Sequence, residues 1–176
     1  NCVVIAVYGN RAYDDGLIQL KDTAELCGFN VIASVAAVAE HSIMRQFGSG
    51  RPDEEDSKEL KKFAEEILEK LSSDKELSTD YFVPGSHEYK RLGNLSVVPK
   101  ANASCTGCGK CAEACPTGAI NKNNIRTGDS SKCISCMGCI AACPKGIRKL
   151  NPVFLAAASL KMKNLLSGRK PNEIFL

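Results

Sequence analysis

Cys105-Thr-Gly-Cys-Gly-Lys-Cys-Ala-Glu-Ala-Cys-Pro116 recurs in the chain as Cys133-Ile-Ser-Cys-Met-Gly-Cys-Ile-Ala-Ala-Cys-Pro144. The four cysteines and the proline of the second stretch each lie 28 residues after their counterparts in the first. This repeat contains eight of the 10 cysteines in the 176-residue chain. Both halves have the spacing C-x2-C-x2-C-x3-C-P, which is typical of proteins that bind two [4Fe–4S] clusters.

In this spacing three thiolates hold one cluster, and the fourth follows in a helical turn and binds the other cluster. The pattern therefore predicts two clusters that exchange their fourth ligand. The predicted ligands of cluster 1 are Cys105, Cys108, Cys111 and Cys143. The predicted ligands of cluster 2 are Cys133, Cys136, Cys139 and Cys115. Three glycines are expected to let the backbone approach the clusters, namely Gly107, Gly109 and Gly138.

Zinc and disulfides are the alternatives for these cysteines. Zinc takes four ligands, usually as two separated C-x2-C pairs, and it does not need two quartets that each end in proline. A disulfide framework is typical of small secreted domains and leaves the exact repeat unexplained. Cys2 and Cys27 lie outside the repeat and are expected to be small core side chains.

Four thiolates for each cluster occupy all four irons, so no iron is open to a substrate. The clusters are therefore expected to carry electrons. Over about residues 100–150 the chain closely resembles the two-cluster ferredoxins of bacteria.

The residues before the repeat alternate between predicted strands and helices. Val3–Tyr8 and Val31–Val38 are apolar runs that predict buried strands. Helices are predicted to begin near Asp14 and after Asp53, where acidic residues precede apolar residues at helical spacing. This order is typical of a doubly wound α/β domain, in which ligands bind at the carboxyl ends of the strands.

The loop Tyr8-Gly-Asn-Arg-Ala-Tyr-Asp-Asp15 follows the first predicted strand. Gly9 would let a flat ring approach the backbone, Tyr8 and Tyr13 could stack on it, and Asn10 could hydrogen-bond to its edge. The alternative is a plain strand-to-helix turn with an aspartate cap.

The order of these segments resembles the last half of a flavodoxin, and the whole chain resembles the flavodoxin–ferredoxin fusion proteins of anaerobic bacteria. The matching segments are 7–15, 39–43, 50–53 and 83–85. The resemblance implies an FMN cofactor, with contacts at Tyr8, Gly9, Asn10, Arg11 and Tyr13. The phosphate-binding loop of flavodoxins has no counterpart here, so FMN is expected only in a protein that extends upstream of Asn1.

The expected fold is therefore a partial flavodoxin-like, doubly wound α/β domain plus a small α+β two-cluster ferredoxin domain. Residues 1–71 are assigned to the C-terminal half of the flavodoxin-like domain, 72–103 to a linker, 104–150 to the ferredoxin domain, and 151–176 to a final helix and tail. Tyr81, Phe82 and Tyr89 are expected to fix the linker onto a domain.

Charge is divided unevenly along the chain. Residues 1–94 contain 11 Lys and Arg against 17 Asp and Glu, whereas residues 95–176 contain 12 against 3. Because thiolates and clusters bring negative charge, the basic residues are expected to offset them and to dock an acidic redox partner protein instead of nucleic acid. Lys145, Arg148 and Lys149 are candidates for this docking, with an ordinary solvated surface as the alternative. No apolar run approaches the roughly 18 residues of a membrane helix, and a cytoplasmic location is expected.

The function predicted from these patterns is electron transfer through two [4Fe–4S] clusters, coupled in the intact protein to FMN. One alternative is a flavin-dependent reductase whose clusters feed the flavin. Another is a protein in which the clusters are structural or sense oxygen. No substrate site is visible in the sequence, so enzymatic activity is left open.

Overall fold

The computed structural model describes residues 1–73, 77–90 and 97–176, and the chain divides into two units. The first comprises Asn1–His41, Arg45–Arg91 and Asn164–Leu176, and the second comprises Ser42–Met44 and Leu92–Lys163. This division differs from the expected one at the end of the chain, because the last 13 residues belong to the first unit. Within the described ranges, no helix is long and apolar enough to cross a membrane.

The elements follow one another in the order β1 (Cys2–Tyr8), α1 (Gly16–Leu26), β2 (Val31–Val38), α2 (Glu54–Ser72), β3 (Lys100–Ala101), α3 (Lys110–Glu113), α4 (Gly138–Ala141), β4 (Arg148–Lys149), α5 (Pro152–Leu166) and β5 (Glu173–Phe175). A short 3-10 helix covers Lys122–Asn124.

The first unit is built on a three-stranded sheet with the strand order β1-β2-β5. β1 and β2 are parallel, with Tyr8 opposite Val38, and α1 connects them. β2 is buried along its whole length, as its continuous apolar sequence predicts for a central strand. β5 runs antiparallel to β2, so the sheet is mixed and the expected basic tail contains a strand. The mixed α/β character is confirmed, whereas the flavodoxin-like fold stays a prediction.

The described part of the predicted linker is packed onto the first unit. Val83 belongs to its buried core together with Leu17 and Val31. The hydroxyls of Tyr81 and Tyr89 hydrogen-bond to Ser34 Oγ (3.0 Å) and to Asp22 Oδ2 (2.7 Å), as expected of residues that fix this segment. Phe82 is 78% exposed, and its expected packing role is wrong. Residues 74–76 and 91–96 of the predicted linker lie outside the described residues.

A buried carboxylate joins α2 to the end of the chain. Asp53 and Asp56 form a capping box, in which each side chain accepts a hydrogen bond from the backbone NH of the other. The fully buried Asp56 also accepts hydrogen bonds from Arg51, from Arg169 (2.9 Å) and from Asn172 (3.0 Å). The hydrogen bonds from Arg51 outweigh burial and hold the pKa of Asp56 well below its usual range.

We predict that Asp56→Asn destabilises the first unit by about 3 kcal/mol, because it leaves the Arg51 guanidinium buried without its counter-charge. Urea unfolding followed by tyrosine fluorescence measures this, since all 4 tyrosines lie in the first unit and the chain has no tryptophan. Glu54→Gln is the matched control in the same helical turn. Its exposed ion pair with Lys58 should contribute less than about 1 kcal/mol. Equal, small losses in both variants would contradict the central role of Asp56.

Candidate functional site

The eight repeat cysteines line two cavities of the second unit. Cavity A is lined by Cys105, Cys108, Cys111 and Cys143. Cavity B is lined by Cys115, Cys133, Cys136 and Cys139. All 10 cysteines of the chain are free thiols. Each cavity thus receives three cysteines from one half of the repeat and the fourth from the other, which is the grouping predicted for two clusters. The assignment of these residues as ligands stays a prediction.

The two halves of the repeat share an unusual backbone. Gly107 and Gly109 have φ values of +71° and +83°, and their counterparts Ser135 and Met137 have φ values of +55° and +61°. Left-handed backbone is costly for residues other than glycine, so the sequence indicates this conformation at glycines and gives no signal for it at Ser135 and Met137. Gly138 was expected to let the backbone approach a cluster. It begins α4, and a Cβ there would lie 3.6 Å from Cys136 Sγ.

A Cys-Pro-x-Gly turn follows in both halves. The NH of Gly118 donates to the carbonyl of Cys115 (3.2 Å), and the NH of Gly146 donates to the carbonyl of Cys143 (3.0 Å). Both glycines have positive φ, +63° and +59°. The turn directs later NH groups back to the thiol, as the 3.3 Å hydrogen bond from Ala119 N to Cys115 Sγ shows.

These hydrogen bonds change the acidity of the thiols. Burial raises the pKa of Cys115, but hydrogen bonds from Thr117 and from backbone NH groups outweigh it, so the pKa lies below its usual value. Backbone hydrogen bonds, chiefly from Arg148 and Ile147, lower the pKa of Cys143. Burial raises the pKa of Cys139, against the opposing charge of Arg148. Because the thiolate is the form that binds metal, the turns favour metal binding at Cys115 and Cys143.

The donor set fits iron–sulfur clusters. In the described ranges, no three His, Cys, Asp or Glu side chains lie close enough together to hold one metal ion. A cubane has a different requirement, because each thiolate binds a separate iron and the four sulfurs surround the whole cluster. Each cavity offers four thiols, and one buried cation lines both cavities. This lining fits a negatively charged [4Fe–4S] cluster in each cavity.

That cation is Arg148, and its predicted place on a solvated docking surface is wrong. Lys145 and Lys149 are exposed as expected, but Arg148 is only 1% exposed. The repeat contains a signal for the burial of Arg148, because the equivalent position 28 residues earlier is the apolar Ile120.

The loop predicted to contact FMN binds the C-terminal segment, residues 164–176, instead of standing free. Asn10 is 2% exposed, and its side-chain amide donates to the carbonyls of Leu166 (2.7 Å) and Gly168 (2.8 Å). Its Oδ1 accepts a hydrogen bond from the backbone NH of Lys170 (3.3 Å). The side chain that was expected to bind a flavin edge is therefore engaged by the protein itself.

The other loop residues also have partners. Tyr8 and Tyr13 meet edge to face with their ring centroids 5.3 Å apart. Their hydroxyls donate to the Pro171 carbonyl and to Glu173, and Arg11 pairs with Asp14. A Cβ at Gly9 would lie 2.9 Å from the Cα of His41, so this glycine is required by the neighbouring backbone. The structure brings the two predicted stacking rings together and leaves their role toward a flavin as a prediction.

Residues 104–147 match the family of 4Fe-4S dicluster domains. The match confirms the predicted ferredoxin-type domain and supports iron–sulfur clusters as its cofactors. It covers no residue of the first unit. Neither the curated proteins nor the solved structures give a match to the chain.

We predict that Asn10→Ala loosens the C-terminal segment, since it removes buried hydrogen bonds that each contribute about 1 kcal/mol. Amide hydrogen exchange of peptides from residues 164–176 should become about tenfold faster. Arg11→Ala is the neighbouring control, and it should leave exchange in that segment unchanged. Unaltered exchange in the Asn10 variant would mean that other contacts hold the segment.

Proposed function

We propose that this protein carries single electrons through two [4Fe–4S] clusters held in cavities A and B. The observation that supports this most strongly is the crosswise grouping of the cysteines, three from one half of the repeat and one from the other. The family match over the same segment adds independent support. The proposed ligands are the four cysteines of each cavity, as named above.

Each bound cluster supplies a site that accepts and releases one electron. The eight thiolates saturate the irons, so the protein offers no open metal position to a substrate. The Cys-Pro-x-Gly turns direct NH groups at Cys115 and Cys143, and such hydrogen bonds stabilise added negative charge at the sulfur. The buried Ile120 and Met137 contribute apolar side chains to the lining of cavity B.

Electron exchange with a partner protein is part of this proposal. Cys108 and Cys136 are exposed, so one edge of each site lies at the protein surface. Exposed lysines lie on the same unit, at positions 110, 122, 132, 145 and 149. A partner with an acidic docking face fits this surface, since complementary charge accelerates encounter and orients the two proteins.

We predict that Cys115→Ala damages cluster 2 although Cys115 belongs to the first half of the repeat. Electron paramagnetic resonance spectra of the reduced Cys115 variant should resemble those of Cys133→Ala and differ from those of Cys105→Ala. Cys27→Ala is the control. The expectation that Cys27 lies in the core is wrong, because its thiol is exposed. It also lies outside the repeat, so its loss should leave both clusters intact. A Cys115 spectrum like that of the Cys105 variant would show that the ligands are not exchanged.

The second part of the proposal couples the clusters to FMN at the loop 8–15. Its support is the β1–α1–β2 unit, which places this loop at the carboxyl end of a parallel strand, where α/β folds bind ligands. A flavin accepts two electrons and releases them singly, which suits one-electron clusters. An FMN that contacts Asn10 must displace the carbonyls of Leu166 and Gly168 from its amide.

We predict one FMN and about eight irons per chain in the intact, anaerobically purified protein. Flavin absorbance and iron analysis on the same sample measure the ratio. Tyr8→Ala in that protein should weaken flavin binding without changing the iron content. Eight irons without flavin would remove the coupling and leave the electron-carrier proposal standing.

A further inference from the structure

Arg148 is buried, and its guanidinium pairs with no acidic side chain among residues 1–73, 77–90 and 97–176. Its two terminal nitrogens donate to the backbone carbonyls of Pro99 (2.7 Å) and Ile125, which are neutral acceptors. Residues 97–163 contain two acidic side chains, and both are engaged elsewhere. Glu113 pairs with Lys122, and Asp129 accepts hydrogen bonds from Ser131. A buried guanidinium with neutral partners alone is costly, so its environment calls for negative charge.

One donor of this guanidinium is unused. Arg148 Nε is a buried nitrogen that finds no acceptor within residues 1–73, 77–90 and 97–176. Buried donors are nearly always hydrogen-bonded, so an orphaned one indicates an acceptor of another kind.

The position of Arg148 indicates what that acceptor is. The residue lines both cavity A and cavity B, which are also lined by the two sets of four cysteines. Sulfur of a cluster held in either cavity would supply both the acceptor and the negative charge.

Comparison of the two halves shows that the repeat does not require this charge. The equivalent residue of the first half is Ile120, which is buried (7% exposed) and lines cavity B. An apolar side chain therefore occupies this position in the first half of the repeat, and only the second half has a cation there.

We propose that Arg148 sets the reduction potentials of the two clusters, with its charge and its Nε–H directed at cluster sulfur. The inference rests on the proposed electron-carrier function. The redox partner protein supplies one electron to a four-thiolate site, and no proton is taken up. The guanidinium stays charged in proteins and offsets the added negative charge. The cation thus favours the reduced form and raises the potential, while its bonds to Pro99 and Ile125 hold it in position.

The test is a redox titration of the full, cluster-loaded chain, followed by electron paramagnetic resonance, with iron counted per chain. In Arg148→Met the ratio of reduced to oxidised cluster at a fixed solution potential should fall at least about tenfold for one or both clusters. This corresponds to about 59 mV for a one-electron couple. Arg148→Lys keeps the charge without Nε and should shift less. Arg126→Met is the control, since it removes an exposed guanidinium that donates to one carbonyl. Its ratio of reduced to oxidised cluster should stay within about twofold of the ratio in the unmutated chain.

Unchanged potentials in a fully loaded Arg148→Met protein would overturn the inference and leave Arg148 a purely structural residue. Arg148→Gln, which keeps one amide donor, replaces the Met variant where that variant does not bind iron. Iron binding by the Lys variant alone would support the inference, because the positive charge is what distinguishes that variant from the Met and Gln variants. Failure of all three to load would overturn it. An unmutated chain without iron would instead overturn the proposed function, so the two failures are distinct.

Discussion

Each cavity of the second unit is lined by three cysteines from one half of the repeat and one from the other, and this exchange joins the two halves. Cys115 enters cavity B from the first half, and Cys143 enters cavity A from the second. On the proposed function each cluster takes four thiolates, and a half folded alone would offer only three of them, so both halves must fold together. The pairing of β3 with β4 sets Ala101 opposite Arg148 and joins the two ends of this module. The same pairing fixes the backbone from which the buried guanidinium reaches both cavities.

The first unit shows which parts of a fold local sequence patterns can predict. β2 has the predicted bounds, Val31–Val38, and β1 begins one residue before its prediction, since both are apolar runs bounded by turn residues. β5 has three residues and pairs with a strand about 140 positions earlier, so no local pattern identifies it. Asn172, just before β5, donates to Asp56 of α2, and no local pattern indicates that this carboxylate is buried.

The site divides in the same way. The grouping of eight thiols follows from spacing, because three ligands of each predicted cluster lie within one short loop and the fourth within the next turn. Arg148 was misjudged and the burial of Asn10 was not predicted, because a single polar residue is usually exposed and only tertiary contacts override that tendency. For Arg148 the repeat held the missing information, since its counterpart Ile120 is apolar. For Asn10 the partner segment begins more than 150 residues later, beyond any motif.

On the proposed function, this one difference between the halves has a directional consequence. The cysteines, the following prolines and the Cys-Pro-x-Gly turns repeat so closely that two clusters held by them would have similar surroundings. Two sites of equal potential would give an electron no preferred resting place. If Arg148 sets the potentials as we propose, the exchange of Ile120 for Arg148 breaks that equality where its guanidinium lies nearer to one cluster. The first electron then settles at that cluster, and its charge opposes a second reduction beside it. On that proposal, a single buried arginine orders the two one-electron steps in a module whose cysteines and turns repeat.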